Sequence, residues 1–129
     1  MGRVKVEVVR ERLLAINPDA EIRAVQDIYC AENAESFALD TYDVIIDAID
    51  SLAEKAHLIL RATQTSALFV SSMGAALKMD PTRVQIAEFW KVGGCPLARA
   101  LRNKFKRAKT RPKRKFYCVF SDEVLPNLG

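Results

Sequence analysis

No apolar stretch in this 129-residue chain is long enough to cross a bilayer. Runs such as Val44-Ile45-Ile46 fall far short of the roughly 20 residues a spanning helix needs, so membrane insertion is not expected. The opening Met1-Gly2-Arg3-Val4-Lys5 lacks the apolar core of a secretion signal. Cysteine is scarce and odd in number: Cys30, Cys95 and Cys118 stand far apart and form no CxxC pair. That argues against a disulfide framework and against a zinc knuckle. Free thiols without an export signal point to the cytoplasm. Glycine is also scarce, and its one adjacent pair, Gly93-Gly94, does not lie between a strand and a helix as a phosphate cradle does. No GxGxxG is present, which leaves a redox Rossmann domain without its fingerprint. One more absence is local: no acid stands between Arg99 and Lys115.

What is present is ordinary globular material. Half the residues are hydrophobic and 28% are charged, a balance suited to one modest core. Residues 1–129 are therefore read as a single domain, with an α/β part over 1–79 and a strand–helix–strand part over 80–129. The charge is uneven. Ten Lys and Arg fall in the segment 99–115, leaving ten bases against sixteen acids elsewhere. An acidic body with one basic segment suggests a local polyanion site. The usual fate of a charge run is a solvated face, but ten bases without one acid exceed what solvation needs.

Periodicity supplies the elements. Val6, Val9, Leu13 and Ile16 recur at helical spacing, and Asn17-Pro18 ends that helix. Glu21 to Tyr29 predicts a strand and Glu32 to Leu39 a short helix. Tyr42 to Ile49 is a nearly continuous apolar, β-branched run, as in a parallel strand buried on both faces. Ser51-Leu52-Ala53-Glu54 fits a capping box opening a helix to about Thr63. Ala67 to Ser71 predicts the next buried strand. Arg83 to Trp90 alternates like an antiparallel addition. Pro96 to Lys109 predicts a helix with Leu97, Leu101, Phe105 and Ala108 on one side. Thr110 to Arg114 is a basic loop, and Phe116 to Phe120 a last strand. The expected architecture is a Rossmann-like, doubly wound, mostly parallel sheet, partial, with antiparallel additions in the C-terminal half.

Several landmarks fall in a familiar order. Gly2-Arg3-Val4-Lys5-Val6-Glu7, Ile16-Asn17-Pro18 and Val44-Ile45-Ile46-Asp47-Ala48-Ile49-Asp50-Ser51 resemble the ubiquitin-activating-type superfamily, whose ThiF, MoeB and HesA members adenylate small carrier proteins. Ser71-Ser72-Met73-Gly74-Ala75-Ala76, Asp80-Pro81-Thr82, Cys95-Pro96-Leu97-Ala98 and Cys118-Val119-Phe120-Ser121 resemble its tRNA threonylcarbamoyladenosine dehydratase branch. The resemblance spans essentially the whole chain. It implies ATP-dependent adenylation of a carboxylate on tRNA, then displacement of AMP by an internal nucleophile that closes a ring. It also implies magnesium with the ATP, a homodimer and a possible sulfur-transfer partner protein. The family's glycine-rich loop precedes its lysine, so this chain is expected to match the C-terminal portion of such an enzyme and to be inactive alone.

The resemblance assigns Lys5 to the ATP phosphates and Asp50 to magnesium and catalysis. Both assignments fit elementary chemistry: an ammonium is a compact charge for phosphate, and a carboxylate ending a parallel strand lies where doubly wound sheets bind ligands. Asp50 also suits a helix N-cap. Asp47, on the opposite side of its strand from Ile46 and Ala48, is expected to be a structural carboxylate or a support for its neighbours. The basic segment assigns tRNA phosphates to Arg99, Arg102, Lys106, Lys109, Arg111, Lys113, Arg114 and Lys115. Cys95 and Cys118 fit buried apolar positions better than nucleophiles, and His57 has no partner for a metal. Two alternatives stay open: a non-catalytic nucleic-acid-binding or assembly module, and adenylation of a ubiquitin-like sulfur-carrier protein.

Overall fold

The computed structural model describes residues 5–27, 29–73 and 80–121. Its first helix, α1 (Lys5–Ile16), buries none of its side chains. β1 (Val44–Asp47), α2 (Leu52–Ala62) and β2 (Leu68–Ser72) then form a strand–helix–strand unit. β3 (Val84–Glu88), α3 (Pro96–Ala108) and β4 (Tyr117–Ser121) complete the fold. The sheet order is β1-β2-β4-β3. β1, β2 and β4 run parallel, and β3 runs antiparallel to β4. The α/β class, the mostly parallel sheet and the antiparallel addition all match expectation.

Strand alternation sorts the side chains. Ile45 and Asp47, Phe69 and Ser71, and Cys118 and Phe120 all point to one face, where α2 and α3 cover them. α2 supplies Ala56, Ile59 and Ala62, and α3 supplies Ala98, Leu101 and Phe105. An aromatic cluster sits at the centre. Phe89 stacks on Phe116 with centroids 5.0 Å apart, and Phe105 meets Phe89 edge-on at 5.9 Å. Pro at the first turn of α3 suits a helix start, since its missing N–H would be unpaired there anyway. The helix ends on Lys109 in the left-handed region (φ 55°), where Thr110 N–H donates back to the Phe105 carbonyl.

Three expectations need correction. Glu21 to Tyr29 forms no strand among the described residues. A strand exists by pairing, and β1 pairs only with β2 there, so the apolar pattern has no ladder to join. The helix expected over 32–39 is two 3₁₀ turns, Ala34–Phe37 and Leu39–Thr41, broken by Ala38 at φ 49°. β1 is buried on one face, not both. Val44, Ile46, Leu68, Val84, Ile86 and Tyr117 are all more than half exposed, and no described helix packs over them.

Phe105 is 1% exposed at the aromatic centre. Phe105→Ala is expected to cost about 3–5 kcal/mol, from lost transfer energy plus a cavity. Urea unfolding measures this, with Arg99→Ala as a surface control expected within about 0.5 kcal/mol of the parent.

Candidate functional site

The carboxyl ends of β1 and β2 are held by one buried ion pair. Lys55 and Asp47 are both fully buried, with Nζ 2.8 Å from Oδ2. The Lys55 ammonium also donates to the carbonyls of Ile49 at 2.9 Å and Ser72 at 2.7 Å. Asp47 Oδ2 accepts the Ser71 hydroxyl at 2.6 Å, and Oδ1 accepts the Ile49 N–H at 2.9 Å. All three ammonium donors and both carboxylate oxygens are therefore used. Asp47 and Ser71 are register partners, so the pleat itself brings them together.

This network fixes the β1–α2 loop. Ile49 is gripped at both its N–H and its carbonyl, and the Ser51 carbonyl accepts Lys55 N–H at 2.9 Å. Asp50 stands exposed between these two anchored residues. Ser51, not Asp50, is the N-cap. The Ser51 hydroxyl bonds the Glu54 carboxylate instead of a backbone N–H, and this holds the Glu54 carboxyl below its ordinary range. No described residue pairs with Asp50. Lys5 is exposed at the start of α1, where an ammonium adds to the positive end of a helix dipole.

The basic segment divides by environment. Arg99, Lys106, Lys109, Arg111, Lys113, Arg114 and Lys115 are exposed. Arg102 is half-buried, and its guanidinium donates to the carbonyls of Phe89 at 3.3 Å and Val92 at 2.9 Å. It braces the turn after β3 and is not a free cation. Arg114 donates to the Ala67 carbonyl, and Lys113 N–H donates to Thr63 Oγ1 at 3.2 Å. Lys104 and Arg107, outside the predicted set, line a groove beside α2 with Leu52. No ion pair involves the basic segment among the described residues. The contacts to Thr63 and Ala67 put the basic loop at the amino ends of the parallel strands. Asp50 lies at their carboxyl ends, about 17 Å away over a five-residue strand.

The cysteines pack as predicted. Cys118 is fully buried, and burial pushes its thiol up to about 12, which leaves almost no thiolate near neutrality. Cys95 is 5% exposed at the start of α3. His57 Nδ1 is hydrogen-bonded to the Tyr29 hydroxyl at 2.9 Å. No group of three His, Cys, Asp or Glu among the described residues could hold a metal by itself.

Sequence reasoning missed Lys55. The signal was available: position 55 falls on the apolar stripe of α2 beside Leu52 and Ile59, and Asp47 shares the phase of buried Ile45. Two opposite charges on buried phases require each other.

The carboxyl edge of a parallel sheet, where the anchored loop presents Asp50, is where open α/β sheets bind ligands. The chain belongs to the ThiF family, whose sequence profile matches residues 1–119. It is similar to the tRNA threonylcarbamoyladenosine dehydratases of Bacillus subtilis (strain 168), 37% identical over 95% of this chain, and Escherichia coli (strain K12), 34% identical over 97%. The chain spans 48% of each of those relatives. It also resembles the crystal structure of E. coli tRNA N6-threonylcarbamoyladenosine dehydratase, TcdA, in complex with ATP. The TM-score is 0.86 at 33% identity, covering 97% of this chain and 54% of that one.

Removing one member of a buried pair strands the other. Lys55→Met is expected to destabilise by about 3–5 kcal/mol. Adding Asp47→Asn is expected to recover a clear part of that loss, since no charge is then left buried. A double-mutant cycle by urea unfolding measures the coupling.

Proposed function

We propose that this chain is the part of an ATP-using adenylating enzyme of the tRNA threonylcarbamoyladenosine dehydratase kind that carries Lys5, Asp50 and a tRNA-contacting basic segment. The observation that carries the reading is the anchored loop presenting Asp50 at the sheet's carboxyl edge. The TcdA structures with ATP and with AMP support it, since both nucleotides belong to an adenylation cycle. Lys5 contacts the phosphates. Asp50 is the single protein carboxylate for a magnesium ion. A lone exposed carboxylate fits magnesium, which keeps most of its waters and takes phosphate oxygens with one or two carboxylates. Bound there, the ion would neutralise charge on the phosphates.

The chemistry balances without a further reactant. The tRNA-borne carboxylate attacks the α-phosphorus of ATP and pyrophosphate leaves, giving an acyl-adenylate. A nucleophile within the same modified nucleoside then attacks the acyl carbon and AMP leaves. The ring closes with net loss of water. The chain's residues bind and orient: Lys5 and Asp50 hold the nucleotide, and the basic segment holds tRNA. A homodimer in the cytoplasm is part of the same proposal, supported by the uncovered apolar face of the sheet. No described residue favours a sulfur-carrier substrate or a sulfur-transfer partner over tRNA.

The deciding experiment is ATP–pyrophosphate exchange, on a protein that carries this chain within a domain of the relatives' length. Asp50→Asn is expected to abolish exchange while circular dichroism is unchanged, because Asp50 is exposed and no described residue pairs with it. Near-parental exchange would remove Asp50 from the nucleotide site.

For the basic segment, Arg99→Glu with Lys106→Glu is the informative pair; Arg102 braces the backbone and would confound stability with binding. The double variant is expected to weaken tRNA binding across tRNA species and to flatten its salt dependence. Each lost contact removes a log–log slope of about 0.7 to 0.9. Filter binding at several salt concentrations reads this, and an unchanged slope would mean a merely solvated face.

A further inference from the structure

The basic segment frames a pocket that phosphate attraction alone does not explain. A cavity of about 350 Å³ opens between Trp90, Phe105, Lys106, Lys109, Thr110 and Arg111. The Arg111 guanidinium lies over the Trp90 ring, 5.4 Å from its centroid. Phe89 backs the indole edge-on at 5.0 Å. Lys109 holds the helix cap with φ 55°, a position that glycine fills without strain. A lysine at this left-handed cap costs stability relative to glycine, whereas the guanidinium over the chain's one tryptophan is an attractive contact.

We propose that this pocket is a single-nucleotide subsite for single-stranded RNA, in which a base stacks on the outer plane of Arg111 and Lys106 and Lys109 take the flanking phosphates. The inference rests on the tRNA reading above and deepens it: it names an unpaired loop of the RNA as what docks here. Three features fit. Arg111 is exposed, so its outer plane is open, while its inner plane is fixed on Trp90. Base stacking on arginine planes is a standard way to read unpaired nucleotides, and a duplex hides that face. The C-terminal end of a helix carries partial negative charge, so a phosphate here needs side-chain cations. Lys106, Lys109 and Arg111 supply three, and no described carboxylate pairs with them.

The test uses the 129-residue chain and its single tryptophan. The probes are a five-nucleotide single-stranded RNA and the same sequence as a duplex. The single strand is expected to change Trp90 emission saturably, and the duplex to bind more weakly without that change. Arg111→Ala is expected to weaken single-strand binding about tenfold, within the range for one lost stack. Lys109→Gly separates function from structure. It relieves the left-handed cap, so the urea midpoint is expected to hold or rise while affinity falls several-fold. Equal binding of strand and duplex, parental affinity in Arg111→Ala, or undiminished affinity in Lys109→Gly would each overturn the subsite. If those fail while Arg99→Glu with Lys106→Glu still weakens tRNA binding, the basic segment stands and the stacking pocket falls. If oligonucleotide binding behaves as expected but pyrophosphate exchange is absent, the subsite stands and the adenylating reading falls.

Discussion

The Lys55 ammonium has three donors and no water to receive them. The chain answers with Asp47 and the carbonyls of Ile49 and Ser72, each within 3 Å. Each acceptor lies on a different segment: the end of β1, the loop after it and the end of β2. For the lysine to be buried, all three segments must sit where they do. The Coulomb gain of such a pair is largely offset by desolvation of both ions. Its role here is therefore geometric: it specifies one arrangement of strand ends and penalises others, because any slip leaves a buried charge unsatisfied. The exposed carboxylate of Asp50 inherits its position from that arrangement.

The same strands show an asymmetry. On the helix side, aromatic rings and α2 and α3 fill the space. On the other side, six large apolar side chains from all four strands meet solvent among the described residues. Parallel sheets ordinarily have both faces covered, since crossover helices lie on each. α1 has its own unburied apolar positions, with Val9, Leu13 and Ile16 exposed. Local patterning and burial therefore disagree on these two surfaces among the described residues. The pattern in Val44–Ile46 encodes a two-sided environment that the described residues supply on one side only.

That disagreement marks how far the sequence could be read. Periodicity located α1, α2, α3 and all four strands, because each has either a helical stripe or a β-branched run bounded by turn residues. It failed at 21–29, where alternation is real but pairing is a non-local property. It placed Arg102 with the free cations because wheel position separates faces but not neighbours. The carbonyls that hold Arg102 come from a turn ten and thirteen residues away. Lys55 was passed over for the converse reason: lysine is taken as solvated by default, although its helical phase put it among Leu52 and Ile59. The position of Asp50 just after a buried strand was legible from the sequence, and the anchoring of its loop only from the coordinates.

Asp50 and the basic loop lie at opposite ends of the parallel strands. Asp50 follows β1 at the carboxyl edge, whereas Lys113 and Arg114 are tied to Thr63 and Ala67 at the amino edge. If the nucleotide sits beside Asp50 as proposed, cations about a strand length away would be screened from it beyond about 8 Å at physiological salt. In the proposed reading their contribution is to hold a large polyanion in register, which is what phosphate contacts do. The division is consistent with how each region is built. The carboxyl edge is pinned by a dry, fully satisfied network, as positioning of a reacting group requires. The basic edge is a solvated helix end and loop, braced by backbone contacts from Arg102, Lys113 and Arg114. A polyanion docked there, as proposed, would be held through several contacts at once.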